Sequence, residues 1–596
     1  MADRFPLIVD SSAEQIQELS AGDNLDLTGS NLINANHIQT SDMGVVGVMT
    51  ATKFKGDGSE LDNLPAGGSS LEATASGTLA DGDTVIVNAD GTVSAVGLEG
   101  SGWIATLGGT GNEYGQGVAY DSSGNVYITA YTNSAGAGGN ELLIAKYNSS
   151  GTIQWQRTLG TGTAYRNDDT GRMIAVDSSG NVYVNGITNF TGGYDSMMIA
   201  KYNSSGTLQW QKTFGDSNTQ ERGHGITVDS SGNVFVCGET TKGMTSIGAL
   251  VAKLNSSGDL QWQRTLDASQ SQLFYDVVVD SSDNVYVGGY TTISGYQYYL
   301  AVKYNNSGTL QWQRAIGGSS TSDNGYSITI DSSDNVYIGG VSTGGGIGGY
   351  DSYLVKYNSS GTYQWQKALG ISGQSTNIRA LASDSSDNVY ITGWYSNSYF
   401  FAKYNSSGTL QWQRSFGGSG TDWSYGISAD GNGNVYVVGQ TSSSGAGSND
   451  ILLITVPSDG SGTGTYGSFT YAASSHTENT PSHTSSDPSH TSASGTLSNP
   501  SNGSFTDQSV SLSDSTISMA STNLTSENYI GISDGAYTNG QTATVQLIGS
   551  VDDAQSSLTP GQKYYVQGDG TLSTTADSPS VLAGTAVAAT KLVIKK

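Results

Sequence analysis

One phrase constrains this chain more than any other: between Asp121 and Asp430 it writes seven times an Asp, a short Gly/Asn turn and a β-branched strand. The type copy is Val176-Asp177-Ser-Ser-Gly-Asn-Val-Tyr-Val, and the other copies begin at Asp121, Asp229, Asp280, Asp331, Asp384 and Asp430. A second phrase, Ala-Lys-Tyr-Asn-Ser-Ser-Gly-Thr-Leu-Gln-Trp-Gln-Arg, keeps step with it and places Trp155, Trp210, Trp262, Trp312, Trp365 and Trp412. Steps of roughly 50 residues, each with four strand-sized pieces, predict a β-propeller. In the third repeat the pieces are Gly225–Asp229, Asn233–Gly238, Gly248–Leu254 and Leu260–Leu266. Constant turns follow pieces one and three; variable loops follow pieces two and four.

The seventh repeat lacks its fourth piece, because after Asp450–Val456 the chain reads Pro-Ser-Asp-Gly. The missing piece stands at the other end, in Ser101-Gly-Trp103-Ile-Ala-Thr-Leu-Gly-Gly109. An N-terminal strand is therefore expected to close the ring. The fold class expected is all-β, a seven-bladed propeller over 101–457 flanked by small β modules.

The remaining segments divide by composition. Residues 1–66 read as an N-terminal attachment segment, with a short helix expected over 11–22 from the Ser11/Glu14 capping box and the Gly22 stop. Residues 67–100 read as a small β module with an Asp90-Gly91 hairpin turn. Residues 458–520 are Ser/Thr/Gly-rich and predict a linker, stalk or disordered stretch. Residues 521–596 turn β-rich again, and Lys563–Thr574 repeats the pattern of Asp83–Ser94, so one small module is expected on each side of the propeller.

Bulk properties exclude several functions. A formal charge of −27 gives no basic stripe for nucleic acid or for an anionic membrane surface. Cys237 is the single cysteine, so no intrachain disulfide forms. No apolar run reaches the ~20 residues of a membrane-spanning helix, and no secretory signal is visible at the N-terminus. A Gly/Ser/Thr-rich repeat chain without an export signal points to release by lysis, as for a virus particle.

The Asp-Ser-Ser-Gly-Asn-Val-Tyr-Val-x-Gly phrase resembles the propeller repeat of bacterial and phage surface proteins. Gly47–Leu61 resembles the recurring module of cyanophage tail-fibre and baseplate-associated proteins. Glu527–Ser533, Leu558–Val566 and Val581–Val587 resemble the C-terminal module of the same fibres. The resemblance implies a virion structural protein of a tailed phage, located in the tail or tail fibre. Other tail and baseplate proteins would be its partners, and it would assemble as a homotrimer. It brings no catalytic residue and no cofactor. The rival readings are a purely structural or capsid-decorating role and a bacterial surface propeller.

Variable loops on a rigid β scaffold are where recognition is expected. Here they carry Tyr165, Arg166, Asp168, Asp169, Phe190, Tyr194, Arg222, His224, Tyr296, Tyr298, Tyr299, Trp394, Tyr395, Tyr399 and Trp423. Aromatic rings stack on sugar C–H faces and polar neighbours bind hydroxyls, so a host-surface polysaccharide is the expected ligand. The repeated Asp is read as a turn acceptor, because calcium wants six to eight oxygens and each turn offers too few carboxylates. The repeated Trp is read as packing between blades. His476, His483 and His490 recur every seven residues. In a trimeric stalk three copies of one histidine would meet on the axis and hold a transition metal; slippage in a low-complexity tract gives the same spacing. No enzyme is expected. Asp168 and Asp169 are adjacent, so in extended chain they point apart rather than flanking one bond.

Overall fold

The computed structural model describes residues 7–10, 15–18 and 70–594, except for short stretches of which the longest are 161–169, 242–246, 495–500 and 523–528. Two compact units are present, residues 1–64 and 65–596. In the first, Leu7–Asp10 pairs antiparallel with Gln15–Glu18, so the helix expected over 11–22 is not formed at 15–18. Ser11 and Glu14 of the expected capping box lie outside the described residues. The Leu-Ile-Val run at 7–9 favours strand, and it offers the second segment a partner that an isolated short helix lacks.

Every described element of the second unit is a strand. Six sheets each use four consecutive strands in simple antiparallel order, within 113–160, 170–214, 221–267, 272–317, 323–370 and 376–417. A seventh uses Asp422–Ala429, Asn434–Thr441 and Asp450–Pro457 and takes Trp103–Gly108 as its fourth strand. Neighbouring sheets pack face to face: Phe235, Val251 and Leu266 meet Val277, Val287 and Val302. The seventh sheet packs on the sixth through Ile427, Val437 and Phe401, and on the first through Leu453, Val438, Val118 and Ile128. The ring is thus closed, and the all-β, propeller-type expectation holds.

The two repeated phrases are the fastenings of this ring. Asp177 Oδ1 accepts the backbone N–H groups of Ser179 and Asn181, both at 2.9 Å. Its Oδ2 accepts Asn181 Nδ2 at 2.8 Å and the Tyr183 hydroxyl at 3.0 Å. The carboxylate is filled by its own turn, as a structural Asp requires. The second phrase reaches the next sheet. Trp155 Nε1 donates to the Ser204 carbonyl at 3.2 Å and Arg157 Nε to the Gly206 carbonyl at 2.8 Å. Gly206 has φ 76° and the indole of Trp155 lies against it, so a side chain there would be both strained and obstructed.

These turns are expected to make the fold acid-sensitive. Burial alone would raise the carboxyls of Asp121, Asp177, Asp280, Asp331 and Asp384, but the hydrogen bonds from the following Asn and Tyr outweigh it and lower them. A folded pKa below the unfolded value of about 3.9 contributes stability that is present above that pH and lost as pH falls through the folded value. The thermal midpoint is therefore expected to drop below about pH 4; calorimetry showing a level midpoint from pH 4 to about 2.5 contradicts this account.

Within 458–520, expected as a linker or stalk, the described strands between 464 and 518 instead form a belt that adds a fifth strand to each of the seven sheets. Phe469–Ala473 pairs with the fourth strand of the sixth sheet, and Thr477–Asn479, Thr484–Ser486 and Thr491–Ser494 follow on the fifth, fourth and third. Ser501–Asn502 and Thr506–Ser509 take the second and first, and Ser513–Ser518 pairs with Trp103–Gly108. The physical reason is the outer edge: each fourth strand presents unpaired N–H and C=O groups, which a Ser/Thr strand satisfies without an apolar face of its own.

The seven-residue period is the pitch of this belt. Thr470 stands opposite Gly417, Thr477 opposite Gly370, Thr484 opposite Gly317 and Thr491 opposite Asp267. Seven extended residues span about 23 Å, enough to step from one outer edge to the next. His476 is buried, stacked 4.0 Å from Phe400 and edge-on to Tyr395 at 4.8 Å, and burial pushes its pKa down to about 4. His483 packs 5.0 Å from Tyr353. Each ring packs on the sheet edged by the belt strand before it, so the stalk on which the metal reading rested is not formed at these two histidines; His490 lies outside the described residues. The second Gln of Gln-Trp-Gln holds the belt: Gln413 Nε2 donates to His476 O at 2.9 Å and Gln366 Nε2 to Pro481 O at 2.6 Å.

The two modules expected at 67–100 and 521–596 are one. Ser70–Thr74, Thr542–Gln546, Tyr529–Ser533, Thr84–Val87 and Val93–Ala95 are successive strands of a single sheet. A second sheet, from 551–594, packs on it through a core that joins Ile86, Tyr529 and Ile532 to Val566, Ala583 and Leu592. Ser518 stands opposite Trp103 and Ser521–Thr522 pairs with Leu98–Glu99, so both arms leave the ring side by side. They leave where a fourth strand begins, on the face of the constant turns.

Candidate ligand site in the axial channel

The first strand of each sheet lies innermost, and first strands touch one another round the ring. Each carries a β-bulge at the same place, between Gly115/Gly117, Gly171/Met173, Gly223/Gly225, Phe274/Asp276, Gly325/Ser327, Ile378/Ala380 and Ser424/Gly426. A bulge sets one extra residue against the partner strand and re-aims its side chain. The extra residues are Gln116, Arg172, His224, Tyr275, Tyr326, Arg379 and Tyr425. Small neighbours make the bulge possible: a Cβ at Gly238 of the second strand would overlap the Arg222 carbonyl oxygen opposite.

Five of these side chains, Gln116, Arg172, His224, Tyr275 and Tyr425, line a cavity of about 510 Å³ together with Tyr131, Asn140, Ile187, Asp195, Arg222, Glu239 and Leu273. The ring continues through close contacts. His224 packs 5.1 Å from Tyr275, and Tyr275 packs 5.1 Å from Tyr326. The Arg379 guanidinium lies 4.3 Å over Tyr326 and 4.5 Å over Trp394. Trp394 stacks on Trp423 at 5.2 Å and meets Tyr425 at 5.5 Å. Tyr326, Arg379, Trp394 and Trp423 thus form a ladder of flat groups beside the channel, and cation–π contact holds the arginine in it.

The electrostatics separate three arginines. Arg222 is neutralised, with Nε 2.6 Å from Asp195 and Nη1 3.0 Å from Glu239. Burial raises the Glu239 carboxyl, and Arg222 opposes that rise. Arg172 is pushed down by burial, and Arg172 Nε, Arg379 Nε and His224 Nε2 are buried with no hydrogen-bond partner among the described residues. Burial and the two neighbouring arginines bring His224 down to about 3, so its imidazole is neutral at pH 7.

Of the residues read from sequence as a ligand face, the structure brings Arg222 and His224 into the cavity wall and Trp394 and Trp423 onto the adjoining ladder. Tyr194 and Tyr296 are exposed at hairpin ends and Tyr298 is half-buried. Tyr299 and Tyr399 are fully buried between sheets, the latter donating to Leu452 O at 3.0 Å, and Tyr395 packs under the belt against His476. These three do not belong to a ligand face. Tyr299 and Tyr399 follow tight hairpins with positive φ at Ser294, Gly295 and Ser396, so the third strand has already begun there, while Tyr395 ends the second strand opposite Ser398, and strand residues alternate between faces. Tyr165, Arg166, Asp168 and Asp169 lie outside the described residues, as does the side chain of Phe190.

Sequence reading missed Arg172, Tyr275, Tyr326, Arg379 and Tyr425. A signal was present: each stands five residues before a repeated Asp, a position that holds Gln, Arg, His or Tyr in all seven copies.

Comparison with known proteins supports propeller repeats. A family model described as outer membrane protein assembly factor BamB matches residues 89–345, and a beta-propeller repeat model matches 364–399 and 411–445. An uncharacterized WD repeat-containing protein of Acanthamoeba polyphaga mimivirus is 25% identical over 210 residues, 32% of this chain and 13% of that protein's length. Among solved structures, the polysaccharide lyase Uly1 is 10% identical with TM-score 0.35, covering 58% of this chain and 90% of the lyase. The beta-propeller domain of the Trilobed protease from Pyrococcus furiosus is 10% identical with TM-score 0.34, covering 57% of this chain and 93% of that domain.

Proposed function

We propose that this chain is a virion structural protein of a tailed phage, a tail-fibre or tail-associated adhesin whose seven sheets are the blades of a propeller that binds host-surface polysaccharide. The resemblance of 47–61, 527–533, 558–566 and 581–587 to fibre modules supports the virion assignment, with assembly as a homotrimer among other tail proteins. The observation that carries the binding assignment is the set of seven bulges. The same bulge, repeated in every sheet, turns out seven side chains of four types, Gln, Arg, His and Tyr, five of which line one cavity, and a polar or aromatic identity is kept there because recognition, not folding, sets it.

The reading is of binding rather than catalysis, since both carboxylates of the cavity wall are engaged by Arg222. The two arms leave on the face of the constant turns, which leaves the variable-loop face free to meet a cell. Purified full chain is expected to adsorb to host cells and to their extracted polysaccharide. Replacing Trp394 and Trp423 by Ala removes two aromatic anchors, at about 2 kcal/mol or more, and lowers affinity at least ~30-fold. Unchanged adsorption by that double variant rules out this site.

A further inference from the structure

Resting on the polysaccharide reading, we propose that the ligand is acidic: the channel holds a carboxylate of a hexuronate-type sugar between the guanidinium groups of Arg172 and Arg379. Both residues come from bulge positions of the innermost strands, on the second and sixth sheets. Arg172 lines the cavity wall; Arg379 adjoins it through Tyr326, whose ring packs on the cavity residue Tyr275.

Three buried donor or acceptor atoms here stand without partners among the described residues: Arg172 Nε, Arg379 Nε and His224 Nε2. A buried guanidinium is normally paired, because an uncompensated charge away from water is unfavourable. Even Arg222, two residues from His224 and only partly buried, is paired with Asp195 and Glu239. Arg172 and Arg379 are in no ion pair at contact distance among the described residues: Glu239 acts on Arg172 only at longer range, and Arg379 is held by the rings of Tyr326 and Trp394.

The local charge points the same way. The cavity wall sets Arg172 and Arg222 against Asp195 and Glu239, and Arg379 on the adjoining ladder adds a third cation, in a chain of net charge −27. A narrow channel with low-dielectric walls concentrates that excess on an entering anion. A carboxylate accepts two N–H donors from one guanidinium, the geometry that suits Arg better than Lys. Neutral His224 then remains to share a hydrogen bond with a sugar hydroxyl, and the Trp394–Trp423 stack offers the C–H face a platform.

The test uses the full chain and hexamers of galacturonate, glucuronate and mannuronate, each beside its carboxyl-reduced neutral counterpart. At least one acidic hexamer is expected to bind ten-fold or more tightly than its neutral partner, with affinity falling as salt rises. Arg172→Met and Arg379→Met are each expected to weaken that binding at least ten-fold. Their thermal midpoints are expected to stay within a few degrees of the parent, because Met keeps the apolar stem and the charge removed has no ion-pair partner. A neutral hexamer binding as tightly as the acidic one overturns the carboxylate assignment while leaving the polysaccharide reading intact. So does a midpoint that falls several degrees in either variant, which would mark the arginine as a packing group. If no saccharide in the set binds and host polysaccharide does not bind either, the polysaccharide reading itself fails.

Discussion

A fragment spanning 102–457 is expected to self-associate and to unfold on the order of 10 °C below a fragment spanning 102–518, which differs only in carrying the belt. The shorter fragment is the one that the repeats define, and it ends with the last strand of the seventh sheet. Without the belt, the fourth strand of each sheet becomes an open edge with a row of unpaired backbone groups, a template for pairing with another copy. The belt's hydrogen bonds roughly offset the entropy of ordering it, so its buried anchors set the net effect. Phe469, Tyr471 and Leu512 are buried, and each contributes about 1.5–3 kcal/mol by area, an upper bound. Divided by an unfolding entropy of about 2.1 cal/mol/K per residue over ~400 residues, their sum gives the stated shift. Calorimetry and sedimentation velocity decide it. Two monomeric fragments with equal midpoints would mean that the belt decorates the ring rather than fastening it.

What was legible in the sequence was whatever is written locally. The Asp turn, the strand after it and the orphan strand at 101–109 each carry their own pattern, and the closing strand follows because one repeat lacks what the chain holds elsewhere. The belt was illegible for a physical reason. Its strands are Ser/Thr sequences with almost nothing to bury, and they acquire structure from edges formed by residues up to several hundred positions earlier. The seven-residue spacing of His476 and His483 was visible, but its meaning is a distance between sheets, and no distance can be read before the ring exists. The candidate site was half legible. Arg222, Trp394 and Trp423 stand out by type, whereas Arg172 and Arg379 are aimed inward by bulges, which a four-strand parse does not contain. Tyr299 and Tyr399 misled because loop and strand have the same composition here, and only the two-residue turns decide where the strand begins.

Replacing Asp331 by Ala is expected to cost about 3–5 kcal/mol, a large loss for one surface turn. The carboxylate accepts Ser333 N at 3.1 Å, Asn335 N at 2.9 Å, Asn335 Nδ2 at 2.8 Å and the Tyr337 hydroxyl at 2.9 Å. Its Oδ2 also lies 3.3 Å from Lys356 Nζ, with the lysine side chain 8% exposed. That ammonium sits 4.7 Å over the Tyr337 ring and donates to the Ser406 carbonyl of the next sheet at 2.9 Å. Removing the carboxylate therefore strands a buried hydroxyl, two turn N–H groups and a buried cation at once, and a buried charge left alone is the largest of these costs. Asp331→Asn keeps an acceptor for the turn but not the counter-charge, and about 1–2 kcal/mol is expected from it. Urea unfolding of both variants separates the two contributions. The ordering matters for the repeated phrase as a whole, because the same Lys–Asp–Tyr arrangement recurs at Lys303, Asp280 and Tyr286 and at Lys403, Asp384 and Tyr390. If Asp331→Ala costs less than about 1 kcal/mol, the phrase is only a tight turn. The fastening between sheets then rests on the Trp and Arg of the fourth strand alone.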